Sequence, residues 1–214
     1  MIAMPFFSPV VASGLTTLSL QDNATSTSTT ITGPSSIQTG DLILLLDRSY
    51  GAAAPSTVVP SGFTSIVNTA GSNLRQIVSR KIADGSEASA TITGMAAGFF
   101  GDVAKELYVF RGDAAISSVT ASTPNNQATT GNPSSQSVTA SGGTPPLIVF
   151  GAYGVGTGTV DPRTFSPAKD GEINGAATSY LAYKIYNSSP ADVSIDMDDE
   201  GDENCLQSFY LECS

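Results

Sequence analysis

Histidine and tryptophan are absent from the 214 residues, lysine and arginine together number nine, and there are two cysteines. Without histidine, the commonest general base, the usual zinc ligand and every Ser-His-Asp or Cys-His arrangement are missing. No enzyme is expected, and no cofactor; a structural zinc site would need ligands from another chain. Without tryptophan there is no large platform for a sugar ring, so a lectin-like role falls to Tyr50, Tyr153 and Tyr180. Nine basic residues against 19 acidic give a formal charge of −10, which repels a phosphate backbone, so direct nucleic-acid binding is not expected. Long apolar runs are also lacking. The longest stretch of large aliphatics, 42–46, falls far short of the about eighteen residues a membrane span needs. The first twenty residues have no Lys or Arg ahead of their apolar positions, so a secretory signal is not expected, and the cytoplasm of the producing cell is the default compartment. Cys205 and Cys213 flank strand-like sequence. An extended strand between them spans about 26 Å, which no disulfide can bridge, so two buried free thiols are expected.

What is present is β-forming sequence. Short runs rich in Val, Ile, Thr, Tyr and Phe are separated by turn residues, and no helical period persists for three turns. Strands are predicted at 16–20, 29–32, 41–47, 63–68, 74–83, 88–93, 103–111, 135–140, 147–153, 178–187, 193–197 and 205–212. Two alternate cleanly: Ala88, Ala90 and Ile92 against Ser89, Thr91 and Thr93, and Val193, Ile195 and Met197 against Asp192, Ser194 and Asp196.

The second half of the chain also repeats the first. Leu42-Ile43-Leu44-Leu45 matches Leu147-Ile148-Val149-Phe150 at an offset of 105. Lys81-Ile82 and the following Ala88 to Ile92 match Lys184-Ile185 and Ala191 to Ile195 at 103, and Tyr108-Val109-Phe110 matches Phe209-Tyr210-Leu211 at 101. An isolated sheet of this size exposes an apolar face until something covers it. The expected architecture is therefore all-β: a jelly-roll or immunoglobulin-like β-sandwich with an internal pseudo-repeat. Residues 1–24 would form an N-terminal arm and first strand. Residues 25–214 would form one sandwich from two halves, 25–113 and 133–214, joined by a Ser/Thr/Asn-rich crossover; two independent domains are the alternative.

Three local features bear on binding. Asp196, Asp198, Glu200 and Asp202 have the alternate spacing of a calcium loop, but position twelve of that pattern is Gln207 and the flanks are strand-like. A solvated hairpin loop is the expectation and a weak calcium site the alternative. Arg111-Gly112-Asp113 spells an integrin-binding tripeptide yet reads as ordinary turn chemistry. Residues 1–11, with Ile2, Met4, Phe6, Phe7 and Val10 and no charge, are too apolar for a free tail and too rich in proline for a helix. They are expected to bind a neighbouring subunit, with packing on their own core as the alternative.

Gly40-Asp41-Leu42-Ile43-Leu44, Pro60-Ser61-Gly62-Phe63-Thr64, Arg80 to Glu87 and Tyr108-Val109-Phe110-Arg111-Gly112 together resemble a loose group of bacteriophage virion proteins, with Phe63 standing where such proteins often have Trp. The resemblance covers residues 29–113 and extends to the second half through its degenerate copy. It implies a capsid decoration or cement protein that stabilises the head by binding the major capsid protein, without catalytic residues. It also implies a homotrimer on the outer surface of the virion capsid, made in the host cytoplasm. The alternative is a tail-associated receptor- or carbohydrate-binding protein.

Overall fold

The computed structural model describes residues 14–51, 58–95, 102–130, 134–155, 161–175, 179–198 and 203–214, and these contain strands and no helix. In chain order the strands are β1 (Leu18–Ser26), β2 (Ile31–Thr32), β3 (Leu42–Tyr50), β4 (Thr64–Ala70), β5 (Leu74–Ile82), β6 (Thr91–Ile92), β7 (Asp102–Gly112), β8 (Val119–Ala121), β9 (Asn125–Thr130), β10 (Gln136–Val138), β11 (Leu147–Val155), β12 (Asp161–Ser166), β13 (Gly171–Gly175), β14 (Ser179–Tyr186), β15 (Val193–Asp198) and β16 (Glu203–Cys213). The chain is all-β, and its sheets are antiparallel throughout.

Two large sheets have the same strand plan. One runs β1-β7-β3-β5-β4; the other runs β13-β14-β11-β16-β8, with β9 also on β16. Read from the opposite edge, each places its last strand beside its first long one, then the strand pair that follows. Leu42, Leu44 and Leu46 of β3 and Tyr108 and Phe110 of β7 point from the first sheet into a core shared with Ile148 and Phe150 of β11, Leu181 and Tyr183 of β14 and Phe209 and Leu211 of β16. Aromatic rings cross that core edge-on, Phe110 to Phe150 at 5.7 Å and Phe110 to Tyr183 at 5.3 Å between centroids. The Tyr108 hydroxyl donates to the Leu181 carbonyl, tying the sheets together.

Each large sheet is also covered on its other face. Ile43, Leu45, Leu107 and Val109 pack under the two-stranded β2-β6 sheet with Ile31 and Ile92. Leu147, Val149, Tyr180 and Leu206 pack under the three-stranded β10-β15-β12 sheet with Val138, Val193 and Ile195. The central strands are therefore buried on both sides, and a strand in that position reads as a continuous apolar run rather than an alternating one.

That arrangement corrects one element of the repeat. Leu42 pairs with Phe110 and Ile82, and the residue in the same place on β11 is Ile148, which pairs with Leu211 and Ile185. The offsets of 101 and 103 hold, but β3 and β11 align at 106 and not at 105. A one-residue slip exchanges the two faces of a strand, and a run apolar on both faces gives no alternation to prevent the error.

Other boundaries also differ. The predicted strand 88–93 shrinks to Thr91–Ile92, because 86–89 is a turn in which Ser89 takes a left-handed φ of 57°. β1 extends to Ser26, so a boundary at residue 24 falls inside a strand. The stretch between β7 and β10, expected as a crossover, contains β8 and β9, both on β16. β12 and β13 were likewise unanticipated.

At one end of the shared core the inward positions turn polar. Arg48, Gln76 and Glu106 of the first sheet meet Ser179 and Gln207 of the second, all fully buried. Gln76 Nε2 donates to Gln207 Oε1 at 3.0 Å, Gln207 Nε2 donates to Thr69 Oγ1 at 2.7 Å, and the Ser179 hydroxyl donates to Glu106. Gly154 makes room for this cluster: a Cβ on it would lie 2.3 Å from Gln76 Oε1 and 3.1 Å from Arg48 Cγ, so the Gln76 side chain would have to shift. On the outer face of the first sheet, Lys105 donates to Asp47 directly across the β3-β7 ladder, with side chains 0% and 3% exposed. Burial pushes the Lys105 ammonium down from its ordinary range, against the attraction of Asp47.

Candidate functional site

The described parts of the predicted sites are mostly structural. Arg111 grips Asp41 through Nε at 2.7 Å and Nη2 at 2.8 Å, and Nη2 also donates to the Ser36 carbonyl. Asp113 Oδ1 accepts the backbone N–H groups of Thr16 at 2.9 Å and Thr17 at 3.1 Å. Both charges of the Arg-Gly-Asp tripeptide thus hold the ends of the first sheet together. Tyr153 and Tyr180 are 0% and 1% exposed, which removes them as faces on which a sugar could stack. Burial first, then its bond to Glu172, raises the Tyr180 phenol above its ordinary range. Tyr50 is half-buried, and the Arg48 guanidinium lies 5.9 Å from its ring centre.

Asp196 is half-buried on β15 and Asp198 ends that strand, while Glu200 and Asp202 lie outside the described residues. Among the described residues no three acidic, cysteine or histidine side chains gather as metal ligands. Ile2, Met4, Phe6, Phe7 and Val10 also lie outside the described residues. Cys205 and Cys213 are free and buried on β16, and burial pushes both thiols up to about 12.

A cleft of about 480 Å³ opens between the turn before β4 and strand β6. The turn is built by Pro60-Ser61-Gly62-Phe63: Phe63 N–H donates to the Pro60 carbonyl at 3.0 Å, and Gly62 sits at φ +82°, a conformation natural to glycine. Val58, Phe63 and Ile92 give the cleft an apolar floor and rim, and Ser61, Ser86, Thr91 and Thr93 add hydroxyls. Lys81 stands at its base, 3.2 Å from Asp84 Oδ2 and in contact with Glu87 Oε1. The hydrogen bond to Glu87 is the main reason the Lys81 ammonium is held above its ordinary value. Glu87 is buried, and its second oxygen, Oε2, has no donor among the described residues. Val58, 42% exposed, is the large hydrophobic side chain left in solvent among the described residues. The residues around this cleft include two of the motifs noted in the sequence, Pro60 to Thr64 and Arg80 to Glu87, but nothing in their order indicated that they enclose a space.

Two surface carboxylates give the molecule a defined acid response. Hydrogen bonds from Thr16 and Thr17 hold Asp113 at about 2, and those from Ser86, with Lys81, hold Asp84 at about 2, both below an ordinary 3.8. A carboxylate depressed on folding adds stability that is complete above its unfolded value and is lost as pH falls through the folded one. Melting temperature should therefore drop between pH 3.8 and about 2. A D84N/D113N double variant followed by circular dichroism should show a shallower fall over that interval; an unchanged slope would assign the acid response to other groups.

Comparison with protein-family models, curated proteins and solved structures returned no match, so the functional reading rests on the chain itself.

Proposed function

We propose that this protein is a non-enzymatic structural component of a bacteriophage particle, a capsid decoration protein that binds the major capsid protein and stabilises the head. The observation that carries this reading is the described surface. It exposes hydroxyls and acidic groups, leaves Val58 as its exposed large hydrophobic, and commits Arg111, Asp113, Lys81 and Lys105 to internal contacts. Strands β1, β4 and β12, which lie at sheet edges, each carry a register shift. The side-chain amide of Asn187 meets the backbone of Leu18 at the start of β1, donating to its carbonyl and accepting its N–H. Bulged and capped edges resist uncontrolled strand pairing, a property suited to a body held at high local density on a shell. With a charge of −10, such a body also avoids nonspecific contact with nucleic acid. On this reading residues 1–11 dock onto a neighbouring subunit, and the assembled form is a trimer.

The test is made on purified particles. The chain should co-purify in numbers comparable to the major capsid protein. Deleting residues 1–11 should abolish that association while the truncated chain keeps its β-sheet circular-dichroism spectrum. A few copies per particle would move the protein to the tail, and absence from particles would end the reading.

A further inference from the structure

Asp47 and Lys105 stand directly opposite each other on β3 and β7, with Ile77 of β5 on the far side of Asp47. Because successive strand residues alternate between faces, the pair shares the outer face of the first sheet with Leu45 and Leu107 on one side and Ser49 and Val103 on the other. Among the described residues, then, the neighbours on that face are largely apolar, and Ile77, Leu45, Leu107, Ser49 and Val103 are all buried. Lys105 Nζ touches Asp47 Oδ1 and lies 3.4 Å from the Arg48 carbonyl. An amine and a carboxyl group are thus held in contact where bulk water does not reach.

The other described lysine pairs are different in kind. Lys169 and Lys184 meet Glu172 and Asp170, whose carboxylates are open to solvent, and Lys81 shares two carboxylates, one of them the exposed Asp84. Water keeps such groups ionised, and an ammonium has no lone pair with which to react. At Lys105, burial holds the ammonium below its ordinary range. In a low-dielectric seat, passing one proton across the pair discharges both groups and leaves an amine against a carboxylic acid.

We propose that Lys105 and Asp47 condense to an amide, an isopeptide bond that locks β7 to β3 from side chain to side chain. The Nζ lone pair adds to Asp47 Cγ, forming the Nζ–Cγ bond. The bond from Cγ to the carboxyl hydroxyl then breaks, and that oxygen leaves as water with its own proton and one from Nζ. Nothing is oxidised or reduced, and no co-reactant is consumed. The protein's part is positioning: well-aligned groups held in contact react as though present at about 10⁵ to 10⁸ M. The Arg48 carbonyl accepts an N–H from Nζ, which fixes the direction of the amine. Burial supplies the driving force, because the amide is uncharged and its formation relieves the cost of keeping two ions out of water. The partners are 58 residues apart in the chain, so the bond closes a long loop and restricts the unfolded state as a disulfide does. It needs only the folded chain, whatever particle or partner the protein serves.

The test is made on the full chain by mass spectrometry under denaturing conditions. The intact protein, kept folded for days at neutral pH, should be lighter than its sequence by the mass of one water. Trypsin should then fail to cut after Lys105, whose amine is consumed, and should release residues 1–48 joined to residues 82–111, one water short of their summed mass. K105M should return the chain to full mass and yield those two peptides separately. A wild-type chain at full mass would overturn the inference. So would a water loss that survives in K105M, or one that maps to residues other than 47 and 105. If K105M does not fold, the peptide map of the wild-type chain decides alone.

Discussion

Replacing Phe150 by alanine should cost about 4 kcal/mol of unfolding free energy, within the about 3 to 5 kcal/mol typical of emptying a buried phenylalanine site. Phe150 is fully buried at the centre of the core shared by both large sheets, with its ring 5.7 Å from Phe110 and 5.4 Å from Phe209. Neither sheet can close the resulting void alone, because each is braced from behind by its own outer sheet and core. At a urea dependence of about 2 kcal/mol per M, the midpoint should fall by about 2 M with an unchanged slope. Phe150→Leu fills most of the volume and should lose about 1 kcal/mol, and Val58→Ala, in solvent, should be silent within about 0.5 kcal/mol. A smaller loss for F150A, or a second transition in the urea curve, would show that the halves unfold independently and that the shared core does not unite them.

The fold class and the long strands were legible in the sequence because they rest on composition and turn chemistry. Leu42 to Leu46, Tyr108 to Phe110 and Leu147 to Phe150 are apolar enough to be strands in any context. What could not be read was the face each residue serves. An alternating strand declares its buried side, but Leu42 and Ile43 are both fully buried, on opposite faces of one sheet, so the repeat was aligned one residue out. The missed strands fail for the converse reason. Asn125–Thr130 has no apolar side chain larger than Ala128; its place on β16 depends on main-chain hydrogen bonds, to which sequence pattern is blind. The buried charges were hidden as well. Asp47, Arg48, Lys105 and Glu106 look like solvent-facing residues at strand ends, and the fold buries all four. The cleft beside β6 was the least accessible to sequence reasoning, since the turn before β4, the end of β5 and strand β6 come together around it only in the folded chain.

The second large effect belongs to the Arg111-Asp41 pair. Asp41 is 2% exposed at its side chain and accepts two guanidinium N–H groups and the Gln38 N–H, the last at 2.7 Å. Arg111→Ala leaves a buried carboxylate with most of its donors gone, a change that costs about 3 to 5 kcal/mol for a fully enclosed pair. Arg111 is itself 27% exposed, so water can reach part of the site, and a loss of about 3 kcal/mol is expected. Arg111→Lys retains the charge but cannot reproduce the two-pronged contact or reach the Ser36 carbonyl in the same geometry, so about half of that loss should remain. The decisive measurement is the double variant D41N/R111A, set beside D41N and R111A alone. If the damage in R111A comes from the stranded carboxylate, removing both charges should cost less than R111A alone, giving a coupling of about 1 to 3 kcal/mol in a double-mutant cycle. Additive losses would mean that Arg111 acts through packing of its stem, and the charge pair would then have no part in joining the loop before β3 to the end of β7.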